Sequence, residues 1–163
     1  MELKIAGLTN DSIVDGPGLR LTVFAQGCPH DCNGCHNKGT HDFVGGSYMS
    51  VSEIIEKAKK NPLLSGITLS GGEPFMQADA MLALAKGAHE IDLNVIIYTG
   101  YTWEELMANE SFKALAYEAD YVIDGRFEID KKTLNMPFIG SSNQRIIDVK
   151  KTKESGEIII AEF

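Results

Sequence analysis

The sequence predicts an α/β domain built on a mostly parallel sheet, arranged as an open, partial βα barrel. Two observations lead there. Strand-like and helix-like stretches alternate through the middle of the chain, the pattern of βαβ crossovers. The chain has 163 residues, whereas a closed eight-fold barrel takes about 250, so a barrel here stays incomplete. One domain is expected to span residues 1–163.

The elements follow in order. Leu19-Arg20-Leu21-Thr22-Val23-Phe24-Ala25 alternates and is rich in strand formers, so it reads as a strand. A loop rich in Gly, Asn, Cys and His follows, from Gly27 to about Ser47. Ser50-Val51-Ser52-Glu53 is a capping box, and Val51, Ile54, Ile55 and Ala58 recur at helical spacing until Asn61-Pro62 stops the helix. Gly66 to Ser70 is a short buried strand. Gly71-Gly72-Glu73-Pro74 then turns into a second helix through Met81, Leu82 and Ala85, with Pro74 suited to its first position. Asn94 to Tyr98 is a third strand, Thr102-Trp103-Glu104-Glu105 caps a third helix, and Tyr121 to Asp124 is a fourth strand. Past Lys131 the pattern divides. Gln144 to Val149 and Glu157 to Ala161 read as strands around Glu154-Ser155-Gly156, or the stretch between them reads as a helix. In such folds functional residues gather at the carboxyl ends of the strands.

Composition narrows the function. The net charge of −8 argues against nucleic acid and anionic membranes as partners. All three cysteines fall between Cys28 and Cys35, an odd number packed too closely for a secreted disulfide scaffold. The start lacks the basic and apolar regions of a signal peptide, and the apolar run Val95-Ile96-Ile97-Tyr98 is strand length. A reducing cytoplasm is the expected location. The methionines read as core filling. Gly16-Pro17-Gly18 lacks the third glycine of a dinucleotide fingerprint, and the chain has no Gly-Lys-Ser/Thr phosphate loop.

Cys28-Pro29-His30-Asp31-Cys32-Asn33-Gly34-Cys35 spaces its thiols as C-x3-C-x2-C just after the first strong strand. Three thiolates this close repel unless a cation shares them. Structural zinc wants four protein ligands, and His30, His36 or His41 lies near enough in sequence to complete it. A [4Fe–4S] cluster normally takes four thiolates; given three, one iron keeps an open coordination position. Gly34 allows a tight turn between two ligands. Cys28, Cys32 and Cys35 are the expected metal ligands under either reading. His89 reads as an exposed residue at a helix end.

The cysteine spacing, followed by a Gly-Gly-Glu turn after the next strand, resembles the radical S-adenosylmethionine superfamily. The resemblance implies one [4Fe–4S] cluster and S-adenosyl-L-methionine, whose amino and carboxylate groups chelate the open iron. Reductive cleavage of the sulfonium then gives a 5′-deoxyadenosyl radical that abstracts a hydrogen atom. Two glycines let a ligand approach the backbone at Gly71 and Gly72, and Glu73 is expected to accept bonds from an ammonium group. The resemblance adds Gly34, Cys35 and His36 to the cofactor contacts. It also sets Thr99 against the cofactor, Asp124 near its ribose and Arg126 at its carboxylate.

Further stretches narrow the likeness. Val14-Asp15-Gly16-Pro17-Gly18-Leu19-Arg20 resembles the leading segment of enzymes that install glycyl radicals in partner proteins. The cysteine loop, Tyr98-Thr99-Gly100-Tyr101, Val122-Ile123-Asp124-Gly125-Arg126-Phe127 and Gly140-Ser141-Ser142-Asn143-Gln144-Arg145 together look like the activating proteins of anaerobic ribonucleoside-triphosphate reductases. That likeness implies the reductase as protein substrate, with flavodoxin or a similar donor supplying electrons. Asp15, Asn143 and Gln144 are candidates for gripping the glycine loop or the cofactor. Pyruvate formate-lyase activases carry an acidic residue where Tyr98 stands, which argues against the bound monovalent cation they hold. A pyruvate formate-lyase-type activase, a small-molecule radical enzyme such as a 7-deazaguanine synthase, and a non-enzymatic zinc module are the alternatives.

Overall fold

The computed structural model describes residues 1–30, 45–134 and 136–161. Gly34, His36, His41, Cys32 and Cys35 lie outside the described residues, so the metal and cofactor contacts expected of them are outside the structural account. A seven-stranded sheet organises the rest: β1 (Glu2–Ser12), β2 (Arg20–Ala25), β3 (Ser47–Ser50), β4 (Gly66–Gly71), β5 (Asn94–Tyr98), β6 (Tyr121–Asp124) and β7 (Arg145–Asp148), in the order β3-β1-β2-β4-β5-β6-β7. β2, β4, β5 and β6 pair in parallel, with Arg20 opposite Gly66, Gly66 opposite Asn94 and Ile96 opposite Tyr121. β1 and β7 run against them at the two sides, and β3 returns along β1.

Helices fill the parallel crossovers, namely α1 (Val51–Lys59), α2 (Ala78–Glu90), α3 (Trp103–Met107) and α4 (Glu110–Glu118); α5 (Val149–Ser155) follows β7. The predicted caps are present. Ser50 accepts from the Glu53 amide at 3.1 Å, and Thr102 and Glu105 form a reciprocal box. The third helix is interrupted, because Asn109 accepts from the Phe112 amide at 3.1 Å and starts α4 as a new N-cap. The divided reading of the tail resolves as strand then helix. Asp148 caps α5, Gly156 ends it in a left-handed conformation (φ 76°), and Ile160 bridges back to Ile147.

Strand alternation gives the sheet two unlike faces. Leu21, Val23, Ile67, Leu69, Val95, Ile97 and Val122 point to the helices and pack with Ile54, Met81, Leu84, Leu106 and Leu115 in the main core. The intervening residues Arg20, Thr22, Thr68, Ile96, Tyr98 and Ile123 point the other way. There Ile96 and Ile123 pack with Ile139 rather than with a helix. Arg20 is fully buried on this face, donating to Thr68 Oγ1 (2.7 Å), Asn94 Oδ1 (2.6 Å) and the Ile67 carbonyl (3.1 Å). Burial pushes its pKa down to about 10, against the opposing pull of Tyr98, Asp120 and Asp15.

His89 is not the exposed residue that the sequence predicts. From the last turn of α2 its Nδ1 meets Glu118 at 2.6 Å and its Nε2 meets Asp120 at 2.8 Å, and Asp120 also accepts from the Val95 amide at 2.7 Å. Burial alone lowers the imidazole pKa, but the hydrogen bonds to Asp120 and Glu118 outweigh it, so the net shift is upward from 6.5. A raised folded-state pKa stabilises fully below the unfolded value and is lost as pH rises through the folded one. The ring is 32% exposed, so solvent screening limits the effect. Urea denaturation should therefore show stability falling by about 1 kcal/mol or less as pH rises above the unperturbed histidine value. His89→Gln should remove that component of the pH profile.

Candidate active site

The carboxyl ends of β2, β4, β5 and β6 converge on a cleft of about 590 Å³, bounded by Cys28, Gly71, Gly72, Thr99 and Gly125, with Ser12 reaching it from the end of β1 and Asp15 from the β1–β2 connection. Cys28 is the third residue after β2. Two backbone bonds clamp that exit to the turn after β4, from Gly72 N to the Ala25 carbonyl and from Glu73 N to the Gly27 carbonyl, both 2.7 Å. Gly71 adopts φ +90°, and a Cβ there would lie 2.6 Å from the Ala25 nitrogen. Glycine at 71 is thus required by the close approach of two strands. Gly72 lines the cleft itself.

Glu73 sits at the centre of a hydrogen-bond cluster. It is completely buried, and its carboxylate accepts from His30 Nε2 (2.8 Å), Thr99 Oγ1 (2.8 and 2.9 Å), the Gly100 amide (2.8 Å) and the Phe75 amide (3.1 Å). The Phe75 bond caps the 3-10 turn Pro74–Gln77 that leads into α2. The Thr99 hydroxyl is committed to Glu73 as well, although Thr99 lines the cleft. His30 is buried with both ring nitrogens engaged, because Arg126 Nε donates to Nδ1 at 3.1 Å. A guanidinium only donates, so Nδ1 accepts and Nε2 carries the proton given to Glu73. His30 therefore has no nitrogen left to complete a zinc site.

Comparison with known proteins decides the family. A family model described as a 4Fe-4S single cluster domain matches residues 14–147. The anaerobic ribonucleoside-triphosphate reductase-activating protein of Pasteurella multocida (strain Pm70) is 34% identical over 142 residues, covering 82% of this chain and 90% of that protein. The chain belongs to this family of activating proteins. An iron–sulfur cluster is the cofactor of its domain type. The pyruvate formate-lyase-activating enzyme of Clostridium pasteurianum is 33% identical over 113 residues, 64% of this chain and 48% of its own length. Among solved structures, QueE from Escherichia coli superposes with a TM-score of 0.50 at 18% identity, over 63% of this chain and 54% of that one, a likeness of fold.

At the end of β6, strand parity sets the surroundings of Asp124. Ile123 points to the cleft side, so Asp124 points to the helices, where it is buried. Arg145, its cross-strand partner, grips both carboxylate oxygens, with Nε to Oδ1 at 3.0 Å, and the Trp103 amide adds a third bond at 2.8 Å. Asp124 joins β6, β7 and α3. Asp124 and Glu104 hold the Arg145 pKa above its ordinary value. Arg126 is exposed, and its Nε donates to His30. Gln144 accepts from the Gly140 and Ser141 amides and donates to the Gly125 carbonyl at 3.0 Å, which fastens this activating-protein segment to the cleft wall. Asn143 Nδ2 donates to the Arg126 carbonyl at 2.9 Å, and its buried Oδ1 has no hydrogen-bond partner among the described residues. Asp15 lines the cleft while accepting from Thr22 Oγ1 at 3.1 Å and from Ser12.

The residues present fit an iron–sulfur cluster with a small-molecule partner. A thiol suits iron, Cys28 stands on the wall of the cleft, and the volume falls in the range of cofactor pockets, about 300–1,000 Å³. Burial without a ligand gives Glu73 a role in the metal-free chain. Glu73→Ala should cost the apo protein about 3 kcal/mol in urea denaturation, because buried donors at His30, Gly100 and Phe75 lose their acceptor. A residue serving only a bound cofactor would leave apo stability unchanged.

Proposed function

We propose that this protein activates anaerobic ribonucleoside-triphosphate reductase by installing a glycyl radical through radical S-adenosylmethionine chemistry. The observation that carries the reading is the match at 34% identity over 90% of the length of an activating protein, in a chain whose first cysteine stands at the strand-end cleft. The shorter coverage of the pyruvate formate-lyase-activating enzyme, 48% of its length, favours the reductase over pyruvate formate-lyase as substrate.

In this reading residues 1–163 form one radical S-adenosylmethionine domain, an open, partial βα barrel whose unclosed side admits a loop of the protein substrate. Cys28, Cys32 and Cys35 hold one [4Fe–4S] cluster, and its open iron binds S-adenosylmethionine. A bound, reduced cluster would supply the one electron needed to split the sulfonium into methionine and a 5′-deoxyadenosyl radical, and hydrogen abstraction from one reductase glycine would then leave 5′-deoxyadenosine and the glycyl radical. The chain's own residues position and enclose. Gly34, Cys35 and His36 flank the cluster, while the Gly71-Gly72 backbone and Thr99 line the methionine side. Arg126, beside the cleft-lining Gly125, supplies a guanidinium for the carboxylate. Phe127, Phe138 and Ile139 form an apolar wall of the cleft that excludes water from the reacting carbon. A cytoplasmic flavodoxin, or a similar donor, supplies the electron.

The test is anaerobic incubation of the reconstituted protein with reductant, S-adenosylmethionine and the reductase. A glycyl-radical signal on the reductase, with one 5′-deoxyadenosine formed per radical, is the expected result. Cleavage of S-adenosylmethionine without a protein radical would point to a small-molecule substrate, and protein holding zinc with no cleavage would point to an interaction module.

A further inference from the structure

We infer that His30 is a positioning residue for the iron–sulfur loop, holding the first cysteine in register with the strand ends that line the cleft. The inference rests on the function proposed above. His30 lies between the first two cysteines, yet it is 6% exposed. Its ring reaches three different strand exits. Nε2 donates to Glu73 after β4, the ring edge meets Tyr101 after β5 with centroids 4.6 Å apart, and Nδ1 accepts from Arg126 after β6. The ring also presses on the backbone at Gly100, where a Cβ would lie 2.4 Å from its Cδ2. The fit leaves no slack on that side.

The link to the cysteine is short. Cys28 Sγ lies 3.7 Å from the His30 carbonyl oxygen. Fixing the ring fixes the backbone against which that sulfur rests. Glu73, which His30 holds, also holds Thr99 and Gly100. Cys28 and the β5 exit are thus joined through one buried carboxylate and one imidazole. Groups that orient metal ligands in this way affect metal retention and electronics while never touching the metal.

The experiment uses the full chain, reconstituted anaerobically, and follows iron release to a chelator together with the electron paramagnetic resonance spectrum of the reduced cluster with and without S-adenosylmethionine. His30→Ala should release iron about 10-fold faster than wild type and show an altered spectral response to S-adenosylmethionine. His30→Gln, which can still offer an N–H to Glu73, should recover most of the difference. His89→Ala, a change remote from the cleft, serves as the stability control and should release iron as wild type does. Arg126→Met leaves His30 Nδ1 without its donor and should also speed release, so the inference stays testable if His30→Ala does not fold. Wild-type release from both His30→Ala and Arg126→Met overturns the inference, as does equal acceleration by His89→Ala or no recovery in His30→Gln. A wild-type chain that takes up no cluster overturns the proposed function and this inference together. A normal wild-type cluster indifferent to His30 overturns this inference alone.

Discussion

One buried carboxylate organises the site. Glu73 sits without solvent at the turn after β4, and a polar group in that position is tolerable only because donors surround it. Those donors come from the cysteine loop, the β5 exit and the turn into α2, so satisfying one carboxyl group fixes three chain segments relative to one another. The cleft inherits its shape from that arrangement. Gly71 contributes on the same turn by letting β4 run against the β2 backbone. Together they set Cys28 beside the glycine turn with little freedom.

The sheet's two faces decide which side chains can serve chemistry. One face is sealed by helices around an aliphatic core, and its residues are committed to packing. The other carries Arg20, Thr22, Thr68 and Tyr98 and opens at the strand ends into the cleft. Asp124 and Ile123 show how strict this division is. A single step along β6 sends the aspartate to Arg145 and the helices, and the isoleucine to the cleft side. An acidic residue at a strand end is therefore no guide to a ligand contact until its parity is known.

The parallel core was legible in sequence because its strands are short, β-branched and bounded by strong turn and cap signals. Residues 94–98 and 121–124 were read with the bounds the structure has. β1 was not read as a strand, since Gly7 and Asn10-Asp11 break its pattern and its register shifts twice against β2. Asn109 split the third helix through a cap that propensity alone does not announce. At the cleft, the placing of Cys28 and Gly72 was legible from their position after strands, and that of Thr99 from the family resemblance. The roles of His30 and Arg145 were not, because each depends on partners distant in sequence, Glu73 and Arg126 for one, Asp124 for the other. The in-register pairing of Asp124 with Arg145 is the signal that would have revealed the second, once β7 was placed.

The proposed activity requires a metal centre held by three cysteines with one coordination position left for a reactant. Mössbauer spectroscopy of anaerobically prepared protein enriched in the active isotope of iron tests this most directly. The account predicts a single four-iron cluster in which one iron changes its parameters on adding S-adenosylmethionine while the other three stay unchanged. Four equivalent irons indifferent to the sulfonium, or zinc in tetrahedral sulfur and nitrogen coordination, would contradict it.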